Sequence, residues 1–241
     1  MLQKIRYLFF FLYLIFNTGL VGLIICIFRP FHADNSWLTC QFMGQPMKLI
    51  MGLKYIIRGK EIIDPSRPCV FISNHQNNID LIAGSLALPH RTVSLGKTSI
   101  LYIPVFGLFY WLSGNILINR TNKRKAKESM EKVTYAIKNK NISVWVMPEG
   151  TRSRGRGLMP FKNGAFRTAI DAEVPIVPIC FNTYSKTANY NKLHSGTIAC
   201  QVLNPIQTTG LVKSDAAKLA KKCHALMSEA LEKLDQEFPR A

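Results

Sequence analysis

Beyond residue 57 the chain alternates short apolar runs of strand length with longer stretches, several of helical periodicity. The apolar runs are "PCVFIS", "TVSLG", "NILIN", "ISVWVM", "VPIVPICF" and "TIACQVL", which read as buried strands. Among the intervening stretches, Ala126, Met130, Val133, Thr134 and Ile137 fall on one face of a helix, with Lys123, Arg124, Lys125 and Lys127 around its start as a solvated or membrane-facing surface. From Ser214 to Phe238, Leu219, Ala220, Cys223, Leu226, Met227, Ala230, Leu231 and Leu234 form a second stripe, with Ser214 as its N-cap. This alternation predicts an α/β domain, a mixed and mostly parallel sheet covered by helices. There is no internal repeat, low-complexity segment or interdomain linker.

The first 57 residues follow a different pattern. Tyr7 to Phe28, "YLFFFLYLIFNTGLVGLIICIF", carries no charge over 22 residues, and as a helix it would be about 33 Å long, enough to cross a bilayer core. A cleaved leader fits poorly, since the run is long and Phe31 stands where a small residue is needed before a cut at Ala33. Lys4 and Arg6 hold the N-terminus inside, and the basic remainder prefers the same side. A second apolar stretch, Trp37 to Ile57, reconciles these if the two segments form a hairpin dipping into one leaflet. The other reading places the second stretch in the globular core. The expected organisation is a membrane-associated helical segment over 1–57 and an α/β domain over 58–241.

Charge narrows the partners. The 31 Lys and Arg outweigh 14 Asp and Glu, for a formal charge of +17, which points to nucleic acid, an acidic lipid surface or a phosphorylated substrate. Within the first 60 residues Asp34 is the only acidic side chain against seven Lys and Arg, so the membrane-proximal surface favours anionic lipid headgroups. Cys26, Cys40, Cys69, Cys180, Cys200 and Cys223 form no C-x-x-C pair and no zinc-ligand spacing with histidine. They read as free thiols in apolar surroundings, and a reducing, cytosol-facing compartment is the economical expectation.

Candidate chemistry lies where the strands stop. "VFISNHQNNID" runs from buried strand into a polar cluster, and open α/β sheets place ligands beyond the carboxyl ends of their strands. His75 in the turn and Asp80 in the first turn of the following helix would let the carboxylate reach one imidazole nitrogen, fixing the tautomer and raising the basicity of the other. That is the geometry of a general base. Asn74, Gln76, Asn77 and Asn78 read equally as turn and capping residues. Two further strand ends add donors. "GNILINR" ends at Arg120, and "VWVMPEGTRSRGRG" places Pro148, Glu149, Gly150, Thr151 and Arg152 after a strand, a cradle suited to a phosphate because Arg offers a bidentate fork and Gly lets the backbone approach. Lys97 in "SLGKTSI" lies past another strand and joins them.

"NHQNNID", "GNILINR", "MPEGTRSRGRG" and "VPIVPI", in this order and spacing over roughly residues 55–205, resemble the glycerolipid acyltransferases, most closely the bacterial 1-acyl-sn-glycerol-3-phosphate (lysophosphatidic acid) acyltransferases. The departure is Met147, where that family usually has Phe. The resemblance implies acyl transfer from an acyl thioester, of acyl carrier protein or coenzyme A, to the sn-2 hydroxyl of lysophosphatidic acid, giving phosphatidic acid in phospholipid biosynthesis. His75 would be the base and Asp80 its orienting partner. Lys97, Arg120, Glu149, Gly150, Thr151 and Arg152 would form the acceptor-phosphate site, with Glu149 orienting an arginine or a glycerol oxygen or serving as a structural ion pair. "VPIVPI" is assigned no chemistry. No metal or other cofactor is implied, and the expected place is the cytoplasmic (inner) membrane, catalytic domain on its cytoplasmic face. The chain has no G-x-S-x-G elbow and no cysteine beside a histidine base, in keeping with direct transfer. Other acceptors, another lysophospholipid or glycerol 3-phosphate, fit the same motifs. A membrane-tethered basic adaptor without chemistry explains the charge but leaves His75, Asp80 and Glu149 unused, and no nucleic-acid-binding motif with interleaved aromatics is present.

Overall fold

The computed structural model describes residues 1–119 and 122–239. It opens with an apolar helix running as α1 (Leu2–Phe16), a π-helical segment (Asn17–Gly22) and α2 (Leu23–Phe28), followed by α3 (Asn35–Ile50) and strand β1 (Leu53–Arg58). The remainder runs β2 (Val70–Ser73), α4 (Asp80–Ala87), β3 (Thr92–Lys97), α5 (Phe106–Leu112), β4 (Ile116–Ile118), α6 (Lys123–Lys140) and β5 (Ser143–Val146). After these come α7 (Gly164–Ala172), β6 (Ile176–Phe181), α8 (Tyr184–Thr187), β7 (Gly196–Val202) and α9 (Ala216–Glu237). Each of the six apolar runs overlaps one of the strands β2 to β7.

The seven strands lie in the order β1-β7-β6-β2-β5-β3-β4. Among the described residues every pairing is parallel except β6 with β7. The sheet is therefore mixed and mostly parallel, and β2, β3, β4, β5 and β6 present their carboxyl ends along one edge. Its central strands are buried on both faces, which is why they read as unbroken apolar runs. Val70, Ile72, Val144, Val146, Ile176 and Cys180 point toward α6, α7 and α9. Phe71, Trp145, Val177, Ile179 and Phe181 point the other way, into a core shared with α1, α3 and α4. The Trp145 indole N–H, buried there, donates to Ser73 Oγ on the adjacent strand at 2.8 Å. The cysteines Cys26, Cys69, Cys180, Cys200 and Cys223 are buried and Cys40 is half-buried.

Two boundaries move. The stretch from Trp37 to Ile57 divides into a helix and a strand: α3 lies beside the N-terminal helix, and its Met43 and Met47, with Met51 just beyond, pack with Phe10, Leu14 and α4. β1 then pairs with β7 from Leu53 onward, so the sheet begins before the expected division at 57 and 58. The C-terminal helix starts at Ala216 with Asp215 at its N-cap position, in place of Ser214. Residues 213–215 form a 3-10 turn, and the Asp215 carboxylate closes it by accepting the Val212 N–H at 2.9 Å.

The N-terminal helix is tied to the α/β part near both ends. Arg6, buried despite its charge, donates to the carbonyls of Tyr190 (3.2 Å), Lys192 (2.7 Å) and Leu193 (2.7 Å) and to Ser195 Oγ. At the far end the Phe31 N–H donates to Leu112 O at 2.8 Å, and the Phe31 ring meets Trp111 edge-on at 5.0 Å. Arg6 thus serves the fold, where the sequence had suggested only a topological charge. Replacing it by alanine leaves buried carbonyls without their donor, and the expected cost is about 1.5–3 kcal/mol, the net worth of hydrogen bonds from a charged group. Thermal unfolding of purified Arg6→Ala in detergent checks this, and an unchanged Tm would show that the helix is held by apolar packing alone.

Candidate active site

β2 ends at Ser73, and beyond it the side chains of Asn74, Gln76 and Asn77 take over the hydrogen bonding. Asn74 pairs with Phe181 at the end of β6, donating to its carbonyl (2.8 Å) and accepting its N–H (2.9 Å). Gln76 donates to Asn182 O (2.8 Å) and accepts from Ser185 N–H (3.2 Å). Asn77 Oδ1 accepts the Ile79 N–H at 2.8 Å, an Asx-type turn that launches α4. These residues are framework, and Asn78 is exposed. Between them His75 is half-buried, with its side chain directed at the first residue of α4.

That residue is Asp80. Its Oδ2 pairs with His75 Nδ1 and accepts the main-chain N–H groups of Gln76 (2.7 Å) and Asn77 (3.2 Å). Its Oδ1 accepts the hydroxyl of Tyr184. With acceptors at every bond, the carboxylate holds the proton of the neutral imidazole on Nδ1 and leaves Nε2 as a base. Tyr184 is fully buried, and burial, then the neighbouring Asp80 charge, pushes its phenol well above the ordinary value, so it stays a donor. Sequence reasoning missed Tyr184. It stands three residues past β6, whose carboxyl end lies on the same edge as that of β2, so the rule that singled out His75 would have found it had it been applied to "VPIVPICF".

The segment after β5 is bound onto this turn. Ser153 N–H donates to His75 O (2.7 Å) and Arg154 N–H to Gln76 O (3.1 Å). The buried Glu149 completes the join: Oε1 accepts the His75 N–H (2.6 Å) and Oε2 the Met159 N–H (3.0 Å). Its carboxylate is therefore occupied by main-chain donors, where an arginine, a glycerol oxygen or an ion pair had been expected. Gly150 sits at φ 70°, in the left-handed region that favours glycine in this turn. Thr151 and Arg152 are exposed beyond it.

Lys97 is exposed at the carboxyl end of β3. Since β2, β5 and β3 are adjacent and parallel, His75, the 148–152 loop and Lys97 follow one another along one edge, about 10 Å from first to last strand. Arg120 lies outside the described residues. Next to the loop, a groove of about 710 Å³ runs between α6, α7 and the ends of β3, β4 and β5. Leu95, Ile118, Met130 and Val146 line it with Pro148 and Gly150, and Lys162 and Arg167 add cations. Its volume falls within the range of ligand sites, about 300–1,000 Å³. Among the described residues no cluster of three or more His, Cys, Asp or Glu is placed to hold a metal ion.

The profile of the Acyltransferase family matches residues 54–182, from β1 to just past β6. The chain is 40% identical over 216 residues to the 1-acyl-sn-glycerol-3-phosphate acyltransferase of Escherichia coli K12, covering 90% of this chain and 88% of that one. It is 39% identical over 221 residues to the protein of the same name from Haemophilus influenzae, covering 91% of each. Its fold superposes with a TM-score of 0.74 on the crystal structure of the 1-acyl-sn-glycerophosphate (LPA) acyltransferase of Thermotoga maritima, at 19% identity and over 99% of this chain and 100% of that one.

Burial, opposed by its two hydrogen bonds and aided by the Asp80 charge, pushes the Glu149 carboxyl from 4.5 up to about 7. A carboxyl whose folded value is raised favours the folded state when protonated. Its contribution is fully present below about 4.5 and is lost as pH rises through about 7. The Tm of the wild type should accordingly fall relative to that of Glu149→Gln, a neutral isostere, between pH 5 and pH 8. Scans at each pH read the difference, and a difference growing in the opposite direction would show that the two N–H bonds outweigh burial.

Proposed function

The chain belongs to the acyltransferase family, and from that premise we propose that it transfers a fatty acyl group from an acyl thioester to the sn-2 hydroxyl of 1-acyl-sn-glycerol 3-phosphate, yielding phosphatidic acid. The observation that carries this reading is His75 with Nδ1 held by a fully engaged Asp80, at the strand edge that also bears the 148–152 loop. An alcohol is a poor nucleophile at neutral pH. His75 Nε2 takes its proton as the oxygen attacks the thioester carbonyl, and the tetrahedral intermediate collapses with loss of the thiolate. The imidazolium then returns the proton to the sulfur. Asp80 keeps the ring oriented and balances its transient charge, while Tyr184 and the main-chain donors hold Asp80 itself. Coenzyme A and acyl carrier protein present the same leaving group, so both serve as donors in this chemistry.

The acceptor phosphate is assigned to Lys97, Arg120 and Arg152, with Gly150 and Thr151 shaping the approach and Glu149 fixing the loop from behind. The enzyme works at the cytoplasmic face of the inner membrane, where the apolar helix attaches it and its basic surface meets anionic headgroups. An adaptor without chemistry would need neither a positioned imidazole nor a glycine turn beside it.

His75→Ala should lower turnover by about a hundred- to ten-thousand-fold, the usual contribution of a positioned base, with the protein still folded and membrane-bound. Asp80→Asn should come close to it. The measurement is formation of chloroform-soluble product from labelled lysophosphatidate and an acyl thioester, and retention of near-wild-type rates would remove the base from the mechanism. Competition between lysophosphatidate, other lysophospholipids and glycerol 3-phosphate identifies the preferred headgroup.

Arg152 has a separate readout. Arg152→Lys loses the bidentate fork and Arg152→Ala the charge as well. The KM for lysophosphatidate should rise in that order while the KM for the thioester changes little, provided the contact acts alike in ground and transition states. An impaired thioester KM with a normal acceptor KM would move Arg152 to the donor side.

A further inference from the structure

We propose that the segment Thr98–Leu112, which belongs to the α/β part of the chain, is a lipid-embedded surface that docks into the bilayer together with the N-terminal helix. The segment consists of the 3-10 turn Thr98–Tyr102 and α5. It exposes Leu101, Tyr102, Ile103, Leu108 and Trp111, and Tyr102 is 86% exposed. Scattered apolar residues on a surface are ordinary, but a contiguous apolar patch marks an interaction site. From Thr98 to Asn119 there is no charged residue across 22 positions, in a chain with a formal charge of +17.

What covers this patch follows from what it adjoins. α5 and the turn before it pack directly on the apolar N-terminal helix: a Cβ at Gly19 would lie 2.9 Å from Val105, and one at Gly22 would lie 2.5 Å from Phe109. That helix itself leaves Leu8, Leu12, Phe16, Leu20, Ile24 and Phe28 exposed along its length. A helix of this length and hydropathy suits a bilayer, and an apolar surface continuous with it suits the same medium. The N-terminal helix is also tied near both ends to the α/β part, through Arg6 and through Phe31. It therefore lies along the domain, and the domain's own apolar flank must share its depth. Tyr102 and Trp111, each with a polar tip on an aromatic body, are suited to the boundary between acyl chains and headgroups.

The backbone holds the patch outward at a conformational cost. Val105, β-branched, adopts φ 65° and ψ −58°, and the Phe106 N–H closes onto Pro104 O at 2.7 Å, a γ-turn of the rare, strained hand. Gly107 allows the next turn to pass under the loop, since a Cβ there would lie 2.5 Å from the carbonyls of Ile100 and Leu101. Without this sharp reversal the four residues Leu101–Pro104, all exposed, would not project as a ridge.

The test places a spin label on Tyr102→Cys in the full chain, reconstituted into vesicles of phosphatidylethanolamine and phosphatidylglycerol. Label on the exposed Lys218→Cys in α9, on the opposite layer, is the aqueous reference, and wild type treated with the same reagent corrects for native thiols. The expected result at position 102 is collision with dissolved oxygen well above collision with a water-soluble nickel chelate, the reverse of position 218. A water-like ratio at position 102 overturns the proposal. So does low access to both probes with spin–spin broadening, because a second copy of the chain would then cover the patch.

Discussion

The bond between the Glu149 carboxylate and the His75 main-chain N–H is the constraint on which the site depends. It joins the ends of β2 and β5 at the level of His75, the proposed base, and the same carboxylate reaches on to Met159. Burying a carboxylate is costly unless its oxygens are satisfied. Main-chain donors suit the task because, unlike a lysine or arginine, they carry no rotamer freedom of their own. Asp80 is satisfied by similar means, with two main-chain N–H groups, a phenol and the imidazole. Two buried carboxylates thus stand at one strand edge, Glu149 held by backbone and Asp80 half by backbone and half by side chains, and the Asp80 charge is one reason the Glu149 proton is retained so far up the pH scale.

Local pattern made much of this legible. The six apolar runs became strands because burial on both faces of a parallel sheet demands continuous hydrophobicity. The step from His75 to Asp80 was readable because a buried strand runs straight into a polar cluster, and the Asx turn at Asn77 starts the helix there. The partners of Glu149 were not readable: 74 residues separate it from His75, and its charge suggested cations where the fold supplies amides. Tyr184 was legible as a polar residue past a strand end, but not its contact, a phenol reaching Asp80 across 104 residues. The apolar stretch from Trp37 to Ile57 left two readings open because hydrophobicity reports burial without naming the medium, and methionines on α3 answer to protein core as readily as to lipid.

Arg6 illustrates a related ambiguity. Counted as a charge it helps to set orientation in a membrane, yet its guanidinium is enclosed by three carbonyls and a hydroxyl of the 190–195 loop. A planar group with five donors can satisfy that many acceptors at once, and the loop it gathers follows directly on α8, which Tyr184 opens. The apolar helix and the residue that steadies Asp80 are therefore neighbours through a short piece of chain, so attachment of the helix and order at the site share a support.

Lys97 occupies the boundary between the two regimes of the molecule. It ends β3, on the edge shared with His75 and the 148–152 loop, and the next residue begins the apolar turn Thr98–Tyr102. A lysophosphatidate in a bilayer keeps its acyl chain among lipid tails and its phosphate at headgroup depth. With Leu101–Ile103 immersed as proposed, a cation four residues before Leu101 lies where such a phosphate would be, and a lysine stem tolerates that position because it stays apolar while its ammonium reaches water. The acceptor then need not leave the membrane to meet the base proposed at His75. The order of residues along β3 and its following turn, strand, cation, apolar ridge, repeats in one dimension the order of layers the substrate itself presents: aqueous site, phosphate, acyl chain.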